Sequence, residues 1–505
     1  MATFSIRSSA IPQHAVVVGF RGVEALSRPY EIDVFFAVAG LEFVDLRDAV
    51  HSKAELTVEV PGAEAPMTFA GVLASVQLLR AIPGNALYVA KLVPQLWHAS
   101  LTRHSRVFTK KTVVEILEEI LDEAGIADYE IHVDGSFEKE EHVCQYKESN
   151  LAFMSRWMER EGLYYFFAHG PDGERLVITN TRSSHHSARS RPVRYFPLSG
   201  RDATSRQSFD DFSCTLSALP GAVKVGDYDY ARPALDLSSA APVSPVGLGE
   251  IVEHGARFFT SSEGRRLARL RAEELGAREV VHHAEGSADL LHAGLTFDLE
   301  DHPNPAYNKT YLITRVEHLG HEPSLSAAWG SLVRPEHEEP YRVKVDAIGA
   351  ETQYRHPRVT PWPKVSGYEN ANVDGPATSQ YAQLDEMGRY LVKFKFDEGS
   401  AKDGRASTFV RMVQPHDGAV EGHHFPLRKG VEVVCEFKDG DPDRPIIVGS
   451  VANAVTPSVV TSSNHTQNVI RTGALNHLVL DDTAGAMWVD LYCPIFSSTL
   501  FLGHG

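Results

Sequence analysis

The 505-residue chain holds only four cysteines, Cys144, Cys214, Cys435 and Cys493, and no two of them form a CxxC pair. Neither a disulfide scaffold nor a thiolate zinc knuckle is therefore implied. No apolar run approaches the length that spans a bilayer, and the opening residues Met1 to Arg7 lack the basic start and apolar core of a signal peptide. The chain is therefore expected to fold in the cytoplasm. Positive charge is scarce as well: 49 Lys and Arg face 66 Asp and Glu, a formal net charge of -17. Such a balance argues against nucleic acid, which is held through a basic face. The chain also lacks HExxH and GxSxG. What remains is 43% hydrophobic residues in a chain long enough for three or more domains with full cores.

The patterning is mainly β with a few helices. Ala15 to Phe20, Tyr30 to Phe36, Glu55 to Val60, Thr68 to Val76 and Tyr88 to Pro94 read as strands, the second alternating Ile32, Val34 and Phe36 against Glu31, Asp33 and Phe35. Thr112-Val113-Val114-Glu115 has capping-box spacing, Val113, Ile116, Leu117, Ile120 and Leu121 form one stripe, and Gly125 marks a stop. A second helix is predicted from Ser149 to Gly162 with Leu151, Phe153, Met154, Trp157 and Met158 as its apolar face, and a third from about Ser262 to Leu275. Between them Leu163 to Ala168 and Leu176 to Thr179 form a hairpin through His169-Gly170-Pro171-Asp172-Gly173. Ser183 to Ser190 and Ser238 to Pro245 read as surface loops, and Leu295 to Leu299 and Thr310 to Val316 as late strands. Prolines and two glycines between Arg355 and Pro376 mark a passage between domains.

The most specific stretch runs from Asp385 to Val451. Tyr390, Val392, Phe394 and Phe396 alternate with Lys393 and Lys395; Phe409 to Pro415 follows; Val431, Val433, Cys435 and Phe437 repeat the period against Glu432 and Glu436. Then Lys438-Asp439-Gly440-Asp441-Pro442-Asp443-Arg444-Pro445 breaks the ladder before Ile446 to Val448. With a weaker strand at Tyr381 to Leu384, about five strands in roughly seventy residues suit a small barrel of the OB type.

This ordered run resembles the OB domain of the VgrG family, the trimeric spikes of type VI secretion systems. Tyr146-Lys147-Glu148-Ser149-Asn150-Leu151-Ala152-Phe153, continued by Glu161-Gly162-Leu163-Tyr164-Tyr165-Phe166-Phe167, resembles the same family's phage-hub-like signature. The resemblance implies α+β hub barrels, an OB-fold barrel and the start of a trimeric intertwined β-helix. Mapped on this chain, residues 1–350 would be the hub with two barrel subdomains, 351–379 a linker, 380–455 the OB domain and 456–505 the start of the needle. In the last segment Leu478 to Asp482, Met487 to Tyr492 and Thr499 to Gly503 are short strands that bury a face only against neighbours. Members of the family often run on past this point, so an end at Gly505 implies a short needle or one cut short.

The resemblance also implies a homotrimer whose hub, of two barrels per subunit, is pseudo-sixfold. Its partners would be a hexameric Hcp-like tube protein, baseplate components, effector or adaptor proteins, and a PAAR-repeat tip protein, with Leu500, Phe501 and Leu502 as the candidate tip-binding residues. The machine would drive the spike through a target membrane and export it without a signal peptide. The spike of an extracellular injection particle or a phage tail is an alternative of the same kind.

A polysaccharide hydrolase is the alternative of another class. Phage spikes of similar plan carry a lysozyme between barrel and needle, but Val451 to Leu478 is too short for one, so no enzyme is expected. Ser136-Phe137-Glu138-Lys139 matches SxxK without the companion motifs. The carboxylate pairs Glu159 with Glu161 and Asp481 with Asp482 read as solvated faces or turns. His185-His186, His282-His283, His423-His424 and His318-x-x-His321 lack recurring cysteine or carboxylate partners at zinc spacing, so neither metal nor cofactor is expected. Tyr390, Phe394 and Phe396 share the buried period and so are not a base-stacking platform.

Overall fold

The computed structural model describes every residue except 1, 41, 42, 171, 172, 198–206, 327, 328, 330, 331, 334–336, 382, 504 and 505. Pro171 and Asp172 of the expected hairpin turn, and Gly505, lie outside the described residues. The chain divides into two compact units. One comprises Met1–His104, Lys111–Lys139 and Lys147–Trp362, and the other Ser105–Lys110, Glu140–Tyr146 and Pro363–Gly505. The second unit thus draws two short segments from within the expected hub.

The first unit is built on a 12-stranded sheet among the described residues. Strand Arg28–Ala39 shows why the alternation reads correctly: Tyr30, Ile32, Val34, Phe36 and Val38 are buried while their neighbours are exposed or half-buried. The strand Thr310–His321 ties the sheet together. Along one edge it pairs first with Thr296–Glu300 and then, from Arg315 to His321, with Val16–Ala25. Along its length it also pairs with Tyr341–Gly349, and the pairing shifts register between Ile313 and Arg315. Because Tyr341–Gly349 is in turn linked through Val280–Gly286, Ser208–Leu216 and Val193–Tyr195 to Thr296–Glu300, the later strands close on themselves as a barrel. The earlier strands continue from Val16–Ala25 as a curved antiparallel run ending at Thr3–Ser8.

Local chemistry sets the helices. Thr112 caps Val113–Glu123 with the full capping box to Glu115, and Gly125 follows with φ +70°. Ser149 caps Asn150–Glu161, whose C-terminal cap Gly162 is left-handed at φ +73°. This helix is not amphipathic as expected: Arg156, Glu159, Arg160 and Glu161 are as buried as Phe153, Met154, Trp157 and Met158, whereas Leu151 is only half-buried. The third helix, Ser261–Gly276, includes Gly276 rather than stopping before it.

Two expectations are corrected. Ser238 to Pro245 is largely not loop, since Leu237–Pro242 is a strand paired with Ala222–Asp227. Its small side chains let the third helix sit close, and a Cβ on Gly264 would lie 2.8 Å from Ser239 Oγ. Of the stretch Tyr381 to Leu384, Ala382 lies outside the described residues; its described residues, and Phe409 to Pro415, are not regular strands but touch their neighbours through isolated bridges such as Tyr381 to Arg428 and Tyr390 to Val410.

The second unit carries the OB-type sheet in the order Val392–Phe394, Glu369–Val373, Glu432–Phe437, Pro445–Ser450. Tyr390, Val392, Phe394, Val433 and Cys435 form its core with Ala371 and Val373. Glu369–Val373 falls in the stretch expected as linker, yet Ala371 and Val373 point inward between half-buried Asn370 and Asn372. Burial pushes the Cys435 thiol up to about 12, so it is an inert core group. A separate four-stranded sheet ends the chain.

Gly162→Ala is expected to cost about 1–3 kcal/mol, because a left-handed backbone is strained with a Cβ and that Cβ would sit 2.6 Å from Leu270 Cδ2. Urea denaturation with an unchanged m value would register it; an unchanged midpoint would refute the strain argument.

Candidate functional site

The C-terminal sheet is an antiparallel meander of Gln467–Arg471, His477–Asp481, Trp488–Cys493 and Ser498–Gly503. Residues paired across an antiparallel ladder share a face. The register therefore places Ile470, Leu478, Leu480, Leu491, Leu500 and Leu502 on one side as an aliphatic stripe. The opposite side carries Trp488 stacked on Phe501 at 5.7 Å, and Asp490 accepting from Thr499 Oγ1 at 2.7 Å and lying 3.1 Å from His477 Nε2. The three expected tip residues thus do not form one patch. Leu500 and Leu502 lie on the aliphatic side and Phe501 on the other, with exposures of 56%, 57% and 45%. Contiguous apolar surface this open is the kind that interaction sites present.

Within the first unit, charge is buried and paired. Arg156 is 1% exposed and donates to Glu148 Oε2 at 2.9 Å and Oε1 at 2.7 Å, with Trp362 4.2 Å from its guanidinium. Glu161, expected on a solvated face, is held by Arg160 and by Arg266 at 2.7 Å. Burial works to raise its carboxyl, but the two arginines prevail and hold it below the usual carboxylate range. Glu159 accepts from the amide and hydroxyl of Thr360 at 3.0 and 2.6 Å. Arg355 donates to Glu273 and to the carbonyls of Gly162 and Asn180, so this part of the expected linker is strapped to the first unit. Asp481 is buried and caps a turn at Thr483.

The histidine pairs are pulled apart. His282 packs on Tyr311 while His283 faces Asp346 at 2.7 Å. His185 lies within hydrogen-bond distance of the Tyr164 hydroxyl and the Gly294 carbonyl, and His424 of the Tyr390 hydroxyl. His318 and His321 do not converge. His321 packs against His337, whereas His318 Nε2 lies 2.7 Å from Glu24 Oε1. The same oxygen is 3.0 Å from His292 Nδ1. Burial alone would raise the Glu24 carboxyl, but the surrounding imidazoles hold it well below its usual value. This cluster had no signal in local spacing, since its residues are far apart in the chain. Only the register, which sets Glu24 opposite Val316 and His318 opposite Gly22, makes Glu24 and His318 diagonal neighbours.

A family model described as the phage tail baseplate hub (GPD) matches residues 23–324, and a second, the type VI secretion system/phage-baseplate injector OB domain, matches residues 381–451. The chain belongs to the baseplate hub family. With the injector OB domain downstream, it has the plan of the VgrG spikes. The type VI secretion system spike protein VgrG1b of Pseudomonas aeruginosa is 29% identical over 79% of this chain and 55% of its own length. VgrG3 of Vibrio cholerae is 28% identical over 97% of this chain and 49% of its own length. The chain thus spans about half the length of these relatives. The E. coli c3393 protein, a type VI secretion component described as similar to T4 tail proteins gp27 and gp5, shares the fold with a TM-score of 0.64, 21% identity and coverage of 88% of this chain and 100% of its own. A Francisella PdpA-VgrG complex matches with a TM-score of 0.65 at 9% identity over 100% of this chain and 86% of its own. The family is one of structural hub and spike proteins.

In the hub-family region Glu174 is buried and accepts from the Gln95 amide and the Tyr30 hydroxyl. Burial outweighs those donors and pushes its carboxyl up to about 7. A raised carboxyl pKa means the fold binds a proton the unfolded chain has released, so stability falls as pH rises from about 4.5 to about 7. The loss is on the order of 3 kcal/mol. Glu174→Gln is expected to flatten that slope in thermal unfolding across this window; an unaltered slope would exclude Glu174 as its source.

Proposed function

We propose that the chain is the hub, collar and first needle segment of a membrane-puncturing spike in a type VI secretion machine, working as a homotrimer. The observation that carries this reading is the aliphatic side of the C-terminal sheet, lying downstream of a hub and an injector OB domain. Three copies packing Leu478, Leu480, Leu491, Leu500 and Leu502 inward would remove that surface from water, and strands shared among three chains would not open singly under load. The hub would seat on a hexameric tube protein and the baseplate, the end of the needle would receive a PAAR-repeat cone, and effectors or adaptors would ride with it. The function is mechanical. No chemistry of its own is assigned to this chain, although one relative, 28% identical, is named the actin cross-linking toxin VgrG1, of which the alignment spans 46%. The spike would assemble in the cytoplasm and leave by contraction of the machine.

Light scattering of the purified chain is expected to give three times the chain mass. Leu491→Asp would bury a charge at the seam, and is expected to shift the species to monomer while both units stay folded. A wild-type monomer, or a variant that still trimerises, would sink the packing proposed here.

Phe501→Asp, on the side of the sheet opposite the seam, tests the tip separately. Binding of a PAAR-repeat protein is expected to weaken at least tenfold in a titration with the trimer intact, and unchanged binding would remove Phe501 from the tip.

A further inference from the structure

The cluster around Glu24 contains a feature that hydrogen bonding does not explain. His169, at the end of strand Tyr164–Gly170, has a side chain only 3% exposed, yet neither ring nitrogen has a hydrogen-bond partner. Leaving such a group unmatched inside a protein costs free energy and calls for a reason. Its Nε2 lies 3.6 Å from Glu24 Oε2, beyond hydrogen-bond distance but facing the carboxylate. His292 Nδ1 and His318 Nε2 approach Oε1 of the same carboxylate at 3.0 and 2.7 Å. The donor atoms of Glu24, His292 and His318 all lie within 4.8 Å of one another. Ligands bound tetrahedrally at 2.0–2.1 Å stand about 3.3 Å apart; Oε1 lies 2.7 and 3.0 Å from His318 and His292, and Oε2 lies 3.6 Å from His169.

The surroundings fit as well. His318 presents its other nitrogen to the Tyr341 hydroxyl at 2.9 Å, the outer hydrogen bond that orients a ligating imidazole. Phe69, fully buried, sets its ring at 5.0–5.4 Å from the three imidazoles and walls the cluster with apolar surface. All four residues belong to the first unit, on two adjacent strands, a third strand and the turn at His292.

We propose that Glu24, His169, His292 and His318 form a closed, four-coordinate site for a divalent transition-metal ion of the zinc class, clamping strands of the hub that are distant in the chain. Three imidazoles and one carboxylate suit such an ion and not calcium or magnesium, which prefer oxygen ligands. With no position left for water, the ion is structural, not catalytic. The inference is independent of the spike reading.

The test uses the full chain, made without an affinity tag that binds metal and purified without chelator. Elemental analysis is expected to find close to one zinc per chain. Chelator-stripped protein titrated with cobalt(II) alone is expected to develop the visible absorption of four-coordinate cobalt, and zinc alone to raise the thermal midpoint by several degrees. His169→Ala removes a side chain that makes no hydrogen bond, so it should fold; it is expected to weaken zinc at least tenfold. Tyr341→Phe is expected to weaken it 10–100-fold. His302→Ala, outside the cluster, should leave binding unchanged. Two results would overturn the site: stripped protein that neither binds zinc nor gains thermal stability, or zinc held equally well by His169→Ala and His318→Ala.

Discussion

A strand has two hydrogen-bonding edges, and the first unit rests on how Thr310–His321 divides them. One edge is split between Thr296–Glu300 and Val16–Ala25, and the strand also ladders with Tyr341–Gly349. The division falls at Ile313 and Thr314, where the register slips and the backbone instead meets Gly294, Leu295 and Leu26. That local irregularity lets one strand serve both the closed barrel and the earlier curved sheet, in keeping with the use of bulges to re-aim strands. It also brings Glu24 and His318 side by side, so the buried cluster follows from the same pairing.

The second constraint is charge held inside. Around helix Asn150–Glu161 the arginines and carboxylates are desolvated, and removing one partner of such a pair costs about 3–5 kcal/mol because the other stays buried. The partners of Glu161, Glu159 and Arg355 lie on the third helix and on the segment leading to Trp362. These contacts give one orientation to elements that apolar packing alone would leave freer to slide. The C-terminal sheet is the contrary case. It satisfies its ladder within the chain but leaves an aliphatic side open, which fits a protein whose fold is finished by assembly.

Some of this was readable from residues alone. The capping box at Thr112, the caps at Ser149 and Gly162 and the alternation in Tyr30 to Phe36 are short-range chemistry, and each appears where the pattern puts it. The two family signatures were equally legible, because they are ordered runs of turn and strand residues. The failures share a cause. Leu237–Pro242 is a strand because of the helix above it, and Glu369–Val373 because of strands on either side, while neither has a bulky apolar run of its own.

The sequence by itself determined the fold class, the ends of the first two long helices, the core period of the OB sheet and the family, since these depend on neighbours within a few residues or on contiguous motifs. Tertiary structure alone decided which charges are buried, which side of the last sheet each of Leu500, Phe501 and Leu502 occupies, and that His318 meets Glu24, not His321. Those outcomes depend on strand register, where a slip of one residue turns every side chain to the other face. For Glu24 and His318 that register joins residues 294 positions apart, which no local pattern encodes.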